Sequence, residues 1–181
     1  MKKEIYLSFI IYFLCFNILG CGYTTRALIS QNFKTIYINH FVNKIDITKE
    51  TDAATKYKLY RPNLENEITQ LVINRYLIDG NLRPQKNEWA DLELKGQLIE
   101  FRRDPLRYLD NDEVEEYRIS IAVNIELWDK KQNQIIWKEN NFRGEATYFT
   151  VGPSAKPEST AIEEAIQDLA RRIVERTVEQ W

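Results

Sequence analysis

Tyr117-Arg118-Ile119-Ser120-Ile121-Ala122-Val123-Asn124-Ile125-Glu126-Leu127-Trp128 alternates from end to end. Tyr117, Ile119, Ile121, Val123, Ile125 and Leu127 fall on one side. Arg118, Ser120, Ala122, Asn124, Glu126 and Trp128 fall on the other. A strict period of two predicts a strand with one buried face and one wet face, as antiparallel sheets have. Its neighbours follow outward. Asp129 to Asn133 is polar and predicts a hairpin turn, and Gln134 to Tyr148 a returning strand. Upstream, Leu92, Leu94, Gly96 and Leu98 alternate within a strand from Ala90 to Arg103, after which the phase flips to Ile99 and Phe101. A one-residue flip predicts a β-bulge near Leu98 and Ile99. Asp104-Pro105 is expected to end that strand, and Asp110 to Glu116 to form an acidic turn.

Two amphipathic helices flank this meander. Asn63 to Asp79 carries Leu64, Ile68, Leu71, Val72 and Tyr76 at three- and four-residue steps, with Pro62 and Asn63 at its entrance and Gly80 at its exit. Asn63 is expected to cap the first free N–H groups. Ser159 to Trp181 carries a longer stripe that includes Ile162, Ile166, Leu169, Ile173 and Val178, and Thr160 and Glu163 have capping-box spacing. Before the first helix, Lys34 to Phe41 reads as a strand, with Ile36 and Ile38 on one side. Lys44 to Arg61 reads as a loop, and Thr150 to Glu158 as a linker. The order is β-α-β-β-β-α. A strand-helix-strand start requires a crossover, so the first two strands are parallel. The fold class is therefore α+β: a two-layer α/β sandwich with a four-stranded mixed sheet and both helices packed on one face. The other face, with Arg118, Asn124 and Glu126, stays polar.

The N-terminus reads as an address. Lys2 and Lys3 precede an apolar run from Ile5 to Leu19, and Ile18-Leu19-Gly20-Cys21 closes it. A basic start, an apolar middle and a small residue before a cut site describe a secretory signal. A spanning helix needs about 20 apolar residues, and this run is shorter and interrupted by Ser8 and Asn17. The pattern resembles the bacterial lipobox, in which the cysteine becomes the first mature residue and is acylated on sulfur. Gly22 rather than Asp follows, which favours the outer membrane in the sorting systems that this pattern resembles. The expected organisation is a lipoprotein signal peptide over 1–20, a lipidated tether over 21–32 with Cys21 as the attachment point, and one domain over 33–181. Without Lys2, Lys3 and Glu4 the chain keeps 23 basic and 26 acidic residues, a net charge of −3. That balance argues against nucleic acid as a partner. Cys15 would leave with the signal and Cys21 would be acylated, so no thiol remains for a disulfide, a zinc site or a nucleophile.

Cys21-Gly22-Tyr23 opens the mature chain. Ile36-Tyr37-Ile38 follows with Phe41 and Asn43, then the Leu64 helix, Ala90-Asp91-Leu92 with Leu94 and Gly96, Tyr117-Arg118-Ile119, Asp129, Trp137, Tyr148 and a last amphipathic helix. Together these resemble the LPS-assembly lipoprotein family, LptE, over nearly the whole mature chain. The resemblance implies an outer-membrane lipoprotein lodged inside a large β-barrel partner, LptD. The pair would receive lipopolysaccharide from a periplasmic bridge and deliver it to the outer leaflet. Members act as plug and assembly factor, not as enzymes, and bind lipopolysaccharide themselves.

No chemistry is visible in the residues. There is no phosphate-binding glycine loop, no H-E-x-x-H and no nucleophile elbow, and His40 is the single histidine, so neither a catalytic residue nor a metal nor a cofactor is expected. Asp110, Asp112, Glu113, Glu115 and Glu116 lack the glycine and spacing of a calcium loop and read as a solvated turn. Arg102, Arg103 and Arg107 lie past the second strand, and Lys130 and Lys131 in the hairpin turn. Either these are ordinary solvated charge, or Arg102, Arg103, Lys130 and Lys131 bind phosphates of the lipid A head group. Trp128, Arg118 and Asn124 on the polar face are the expected partner interface, with Trp128 as the anchor; Trp137 and Trp181 are expected in the core. Two other functions compete. One is an outer-membrane lipoprotein that activates a peptidoglycan synthase or supports a secretion complex, since such proteins also begin with an Ile-x-Ile-x-x-Phe-x-Asn-like strand. The other, a periplasmic enzyme, lacks any converging set of residues.

Overall fold

The computed structural model describes residues 33–45 and 61–178. Cys21, the signal segment, most of the loop after Ile45, and Trp181 lie outside the described residues. The elements are β1 (Thr35–Ile38), β2 (Val42–Asn43), α1 (Leu64–Asp79), β3 (Arg83–Pro84), a 3-10 turn (Asn87–Trp89), β4 (Leu92–Tyr108), β5 (Val114–Asp129), β6 (Gln134–Phe149) and α2 (Glu158–Val178). The strands form one mixed sheet in the order β3-β1-β4-β5-β6, with β2 also beside β4. β1 runs parallel to β4, Ile36 opposite Leu92, as the crossover requires. β4, β5 and β6 form the antiparallel meander.

The sheet has six strands rather than four, for two local reasons. The expected first strand breaks at Phe41, whose N–H turns to the Thr69 hydroxyl on α1 at 3.0 Å. The ring then lies over Gly96, where a Cβ would stand 2.1 Å from it. Gly96 is thus the seat of Phe41, and the chain resumes beyond it as β2. The second addition is β3, a two-residue edge beside β1 after α1.

The meander strand does not stop at Asp104-Pro105 but runs to Tyr108, with Pro105 opposite Tyr117. Among the described residues no strand flanks β4 beyond Leu98 on the β1–β2 side. A proline is tolerated in a strand whose edge is free. The bulge falls where the phase flip places it, between Leu98 and Glu100.

The helices cover one face. Leu64, Ile68, Val72 and Tyr76 of α1 are buried with Ile162, Ala165, Ile166, Leu169, Ile173 and Val174 of α2, against the odd-numbered face of β5. Gly144 lets α2 approach β6, since a Cβ there would stand 2.4 Å from that of Leu169. The Tyr76 hydroxyl donates to Thr177 at 2.7 Å and ties the helices together; burial pushes its pKa up. Two expected caps work differently. Asn63 stands at the start of α1 with φ 64°, and its side chain makes no capping bond; its carbonyl accepts from the N–H groups of Asn66 and Glu67. α2 starts one residue early, the Pro157 carbonyl taking the first helical N–H groups, so Thr160 lies inside the first turn. Gly80 ends α1 at φ 77°.

The parallel start fixes the two ends of the molecule. β1, β3 and β4 begin, β5 ends, β6 begins and α1 ends at one end, where the described chain enters at Phe33. α2 also finishes there, Arg176 lying 5.1 Å from the Trp137 ring. The far end holds the acidic turn, the close of β6 and the start of α2.

Candidate partner and lipid interface

The uncovered sheet face is built by β4, β5 and β6 in register. Lys95, Glu126 and Lys138 form one row across the strands; Glu100, Ala122 and Arg143 form another; Arg102, Ser120 and Glu145 a third. Charges alternate in sign between neighbours. The Arg143 guanidinium bonds Glu100 at 2.7 Å and donates to the Ser120 hydroxyl at 3.1 Å. Lys138 meets Glu126 at 2.6 Å, and this bond, with burial opposing it, holds the Glu126 carboxyl below its usual pKa. Ser120 and Ala122 are only 2% and 0% exposed although they sit on this face. The long charged side chains around them form the cover, stems over the small residues and heads in water.

Each expected interface residue has a place here. Trp128 lies on the face, its indole N–H donating to Glu126 at 3.2 Å, with the Lys95 ammonium 4.2 Å from the ring centre. Arg118 stands 3.9 Å from Glu145. The Asn124 side-chain oxygen Oδ1 accepts from the backbone N–H of Asn141 at 3.0 Å, at the point where β6 carries an extra residue and Asn141 takes φ 55°. Trp137 is buried, as expected. Sequence reasoning missed Glu100 and Arg143, the centre of the face. Alternation alone gives each a side; only the register between β4, β5 and β6 brings them together.

The four cations expected to meet lipid phosphate do not converge. Arg102 lies on the open face and bonds Asp104 at 2.6 Å. Arg103, the next residue, points to the helix side, where it bonds Glu158 at 2.6 Å and lies 4.9 Å from the Tyr117 ring centre. Burial opposes the Arg103 charge, but Glu158 outweighs it and raises the pKa. The same carboxylate accepts from the Tyr148 hydroxyl, whose pKa burial and the Glu158 charge push up to about 12. Lys130 and Lys131 lie at the entry end, roughly ten strand residues or about 30 Å away. Lys130 bonds Asn87, and Lys131 meets Asp91 at 2.8 Å.

Asp91 is the clasp of the entry end. It accepts from the N–H groups of Lys34 and Thr35 at 3.0 and 3.1 Å and from the Thr35 hydroxyl at 2.8 Å. Burial works against its charge, but Lys131 and these donors hold the carboxyl well below the usual range. Asp129, 3% exposed, accepts from the N–H groups of Lys131 and Gln132 and shapes the turn. At the far end the acidic turn is shorter than expected: Asp110, Asp112 (φ 64°) and Glu113 lie in it, while Glu115 and Glu116 already belong to β5, 3.8 and 3.7 Å from Arg107. Among the described residues no group of three or more metal-ligating side chains converges, and no helix is long and apolar enough to cross a membrane.

Residues 33–177 match the family model described as LptE, lipopolysaccharide-assembly. No curated protein matches the chain. Among solved structures, the hypothetical protein CT253 from Chlamydia trachomatis is 14% identical, with a TM-score of 0.51, covering 80% of this chain and 95% of its own. That likeness concerns the fold. The rare lipoprotein B from Shewanella oneidensis is 15% identical, with a TM-score of 0.42, covering 81% of this chain and 92% of its own.

Proposed function

The chain belongs to the lipopolysaccharide-assembly family LptE, and from that premise we propose that it is an outer-membrane lipoprotein, anchored by acylated Cys21, that plugs and helps assemble a large β-barrel of the LptD kind. Through this pair lipopolysaccharide reaches the outer leaflet. The protein works by contact and catalyses nothing.

The observation that carries this reading is the uncovered face of the meander. Strands of 16 and 17 residues leave one broad face without helices. That face is charged, yet its charges are matched laterally, Glu100 with Arg143 and Glu126 with Lys138. Such a surface suits the polar interior of a wide barrel better than an apolar partner. Trp128, Arg118 and Asn124 are the contacts we assign to it. A photo-crosslinker at Gln97, Arg118 or Asn124 should capture a barrel-sized protein in detergent-solubilised membranes. Capture only from the exposed side of α2, at Glu163 or Gln167, would reject the assignment.

Direct lipopolysaccharide binding belongs to the same proposal. Arg102, Arg103, Lys130 and Lys131 occupy separate places, so each would act singly, a lipid phosphate competing with its carboxylate or amide partner. Replacing all four with glutamine should weaken lipopolysaccharide binding several-fold. Unchanged affinity would remove them from the site.

A further inference from the structure

The two ends of the molecule differ in a way that the barrel does not require. At the far end Asp110, Asp112 and Glu113 are exposed in the turn, and Glu115 and Glu116 lie beside Arg107. At the entry end Asp91 is consumed by Lys131 and the start of β1 and Asp129 by its own turn, which leaves Asp79 and Glu88 as the exposed acids there. Lys34, Arg83 and Lys86 are exposed there and make no ion pair among the described residues. Large apolar side chains project from the same end. Ile78 and Leu77, at the close of α1, are 76% and 59% exposed; Trp89, in the turn before β4, is 74% exposed; Ile135, beside Trp128 at the start of β6, is 44% exposed.

The geometry points to a second membrane contact: the entry end rests on the anionic phospholipid surface, with Trp89, Ile78 and Ile135 in the headgroup region and Lys34, Arg83 and Lys86 facing lipid phosphates. This inference rests on the lipidated-Cys21 reading. Eleven residues separate Cys21 from Phe33, so a fully extended tether holds this end within about 40 Å of the bilayer. Aromatic and aliphatic side chains with nearby lysines and arginines suit the interface between headgroups and acyl chains. The acidic turn at the far end is disfavoured at the same surface, and the exposed apolar side chains are at the entry end, so both favour this orientation. The entry end also suits this role mechanically, because Asp91 and Lys131 lock β1, β4 and the β5–β6 turn into one block. The lipid on Cys21 would hold the protein at the bilayer, and the surface contact restricts how it stands there.

The test uses the full-length acylated protein in vesicles of phosphatidylethanolamine and phosphatidylglycerol. Trp89→Cys, Ile78→Cys and Ile135→Cys each place a spin label at the entry end, and Val151→Cys places one beyond β6 at the far end. Acylated Cys21 takes no label. The entry-end labels should collide with oxygen several-fold more than with a water-soluble nickel complex, and the Val151→Cys label should show the reverse. Acylated protein whose entry-end labels behave like the far-end one overturns the surface contact and leaves the anchor standing. Labels that become dry only when the barrel protein is added also overturn it, and assign this end to protein. A free thiol at Cys21 by mass spectrometry overturns the anchor, and the surface contact with it.

Discussion

The two faces of β5 are covered by opposite means. On the helix side Ile119, Ile121, Val123 and Ile125 are 0% exposed because two helices lie over them. On the open side Ala122 is 0% and Ser120 2% exposed with no element above them. Their cover is the ring of Glu100, Arg102, Arg143 and Glu145, each held by a neighbour of opposite charge or by a hydroxyl. The first face takes its stability from apolar area removed from water. The second gains little from its ion pairs, which are partly exposed and screened by solvent, but gains a fixed shape. Burial alone therefore does not tell a core from an open face; what does the covering tells them apart.

Substitutions on the two faces can break that contrast. Ile121→Ala should destabilise the protein by about 2–5 kcal/mol, since the helix layer cannot collapse fully into the gap; equilibrium denaturation reads this directly. A cost below about 1 kcal/mol would mean that the helix side is loosely packed. Asp91→Asn should cost about 1–3 kcal/mol at neutral pH, because it weakens a carboxylate with several donors. Its pH dependence has a definite sign. The folded carboxyl titrates below the usual range, so its contribution is complete above the unfolded value of about 3.9 and is lost as pH falls through the folded value. The variant should therefore lose less stability than the parent on acidification below about pH 4, and parallel curves would remove Asp91 from that role. The smallest effect belongs to the open face. Lys138→Gln should change stability by no more than about 1 kcal/mol, with whatever change there is shrinking in high salt. A larger, salt-insensitive loss would mean that this face is a core after all.

Much of the fold was legible because the sheet carries its period in plain view. The alternation from Tyr117 to Trp128, the phase flip at Leu98 and Ile99, and the two apolar stripes fix a two-layer sandwich with parallel first strands, and the structure has it. What escaped depended on distant neighbours. Pro105 reads as a stop unless one knows that its edge of β4 is free. Phe41 reads as part of a continuous strand unless the Thr69 hydroxyl and the seat at Gly96 are known. Asn63 and Thr160 have the composition of caps, but a left-handed backbone at one and Pro157 ahead of the other supplied the first helical acceptors instead. The open face was legible as a class and its side-chain pairing was not. Alternation put Trp128, Arg118 and Asn124 on the open face, while the pairing of Glu100 with Arg143, and the separation of Arg102 from Arg103 by the thickness of the sheet, follow from register and pleat.

Strands of 16 and 17 residues make a ribbon about 50 Å long, while the hydrocarbon layer of a bilayer is about 30 Å thick. A ribbon of that length standing upright inside the proposed barrel would be taller than the oily slab around it. With the entry tip at the headgroups of one leaflet, the other tip would reach those of the opposite leaflet, and a tug on one would be felt at the other through hydrogen-bonded backbone, with nothing needing to diffuse across.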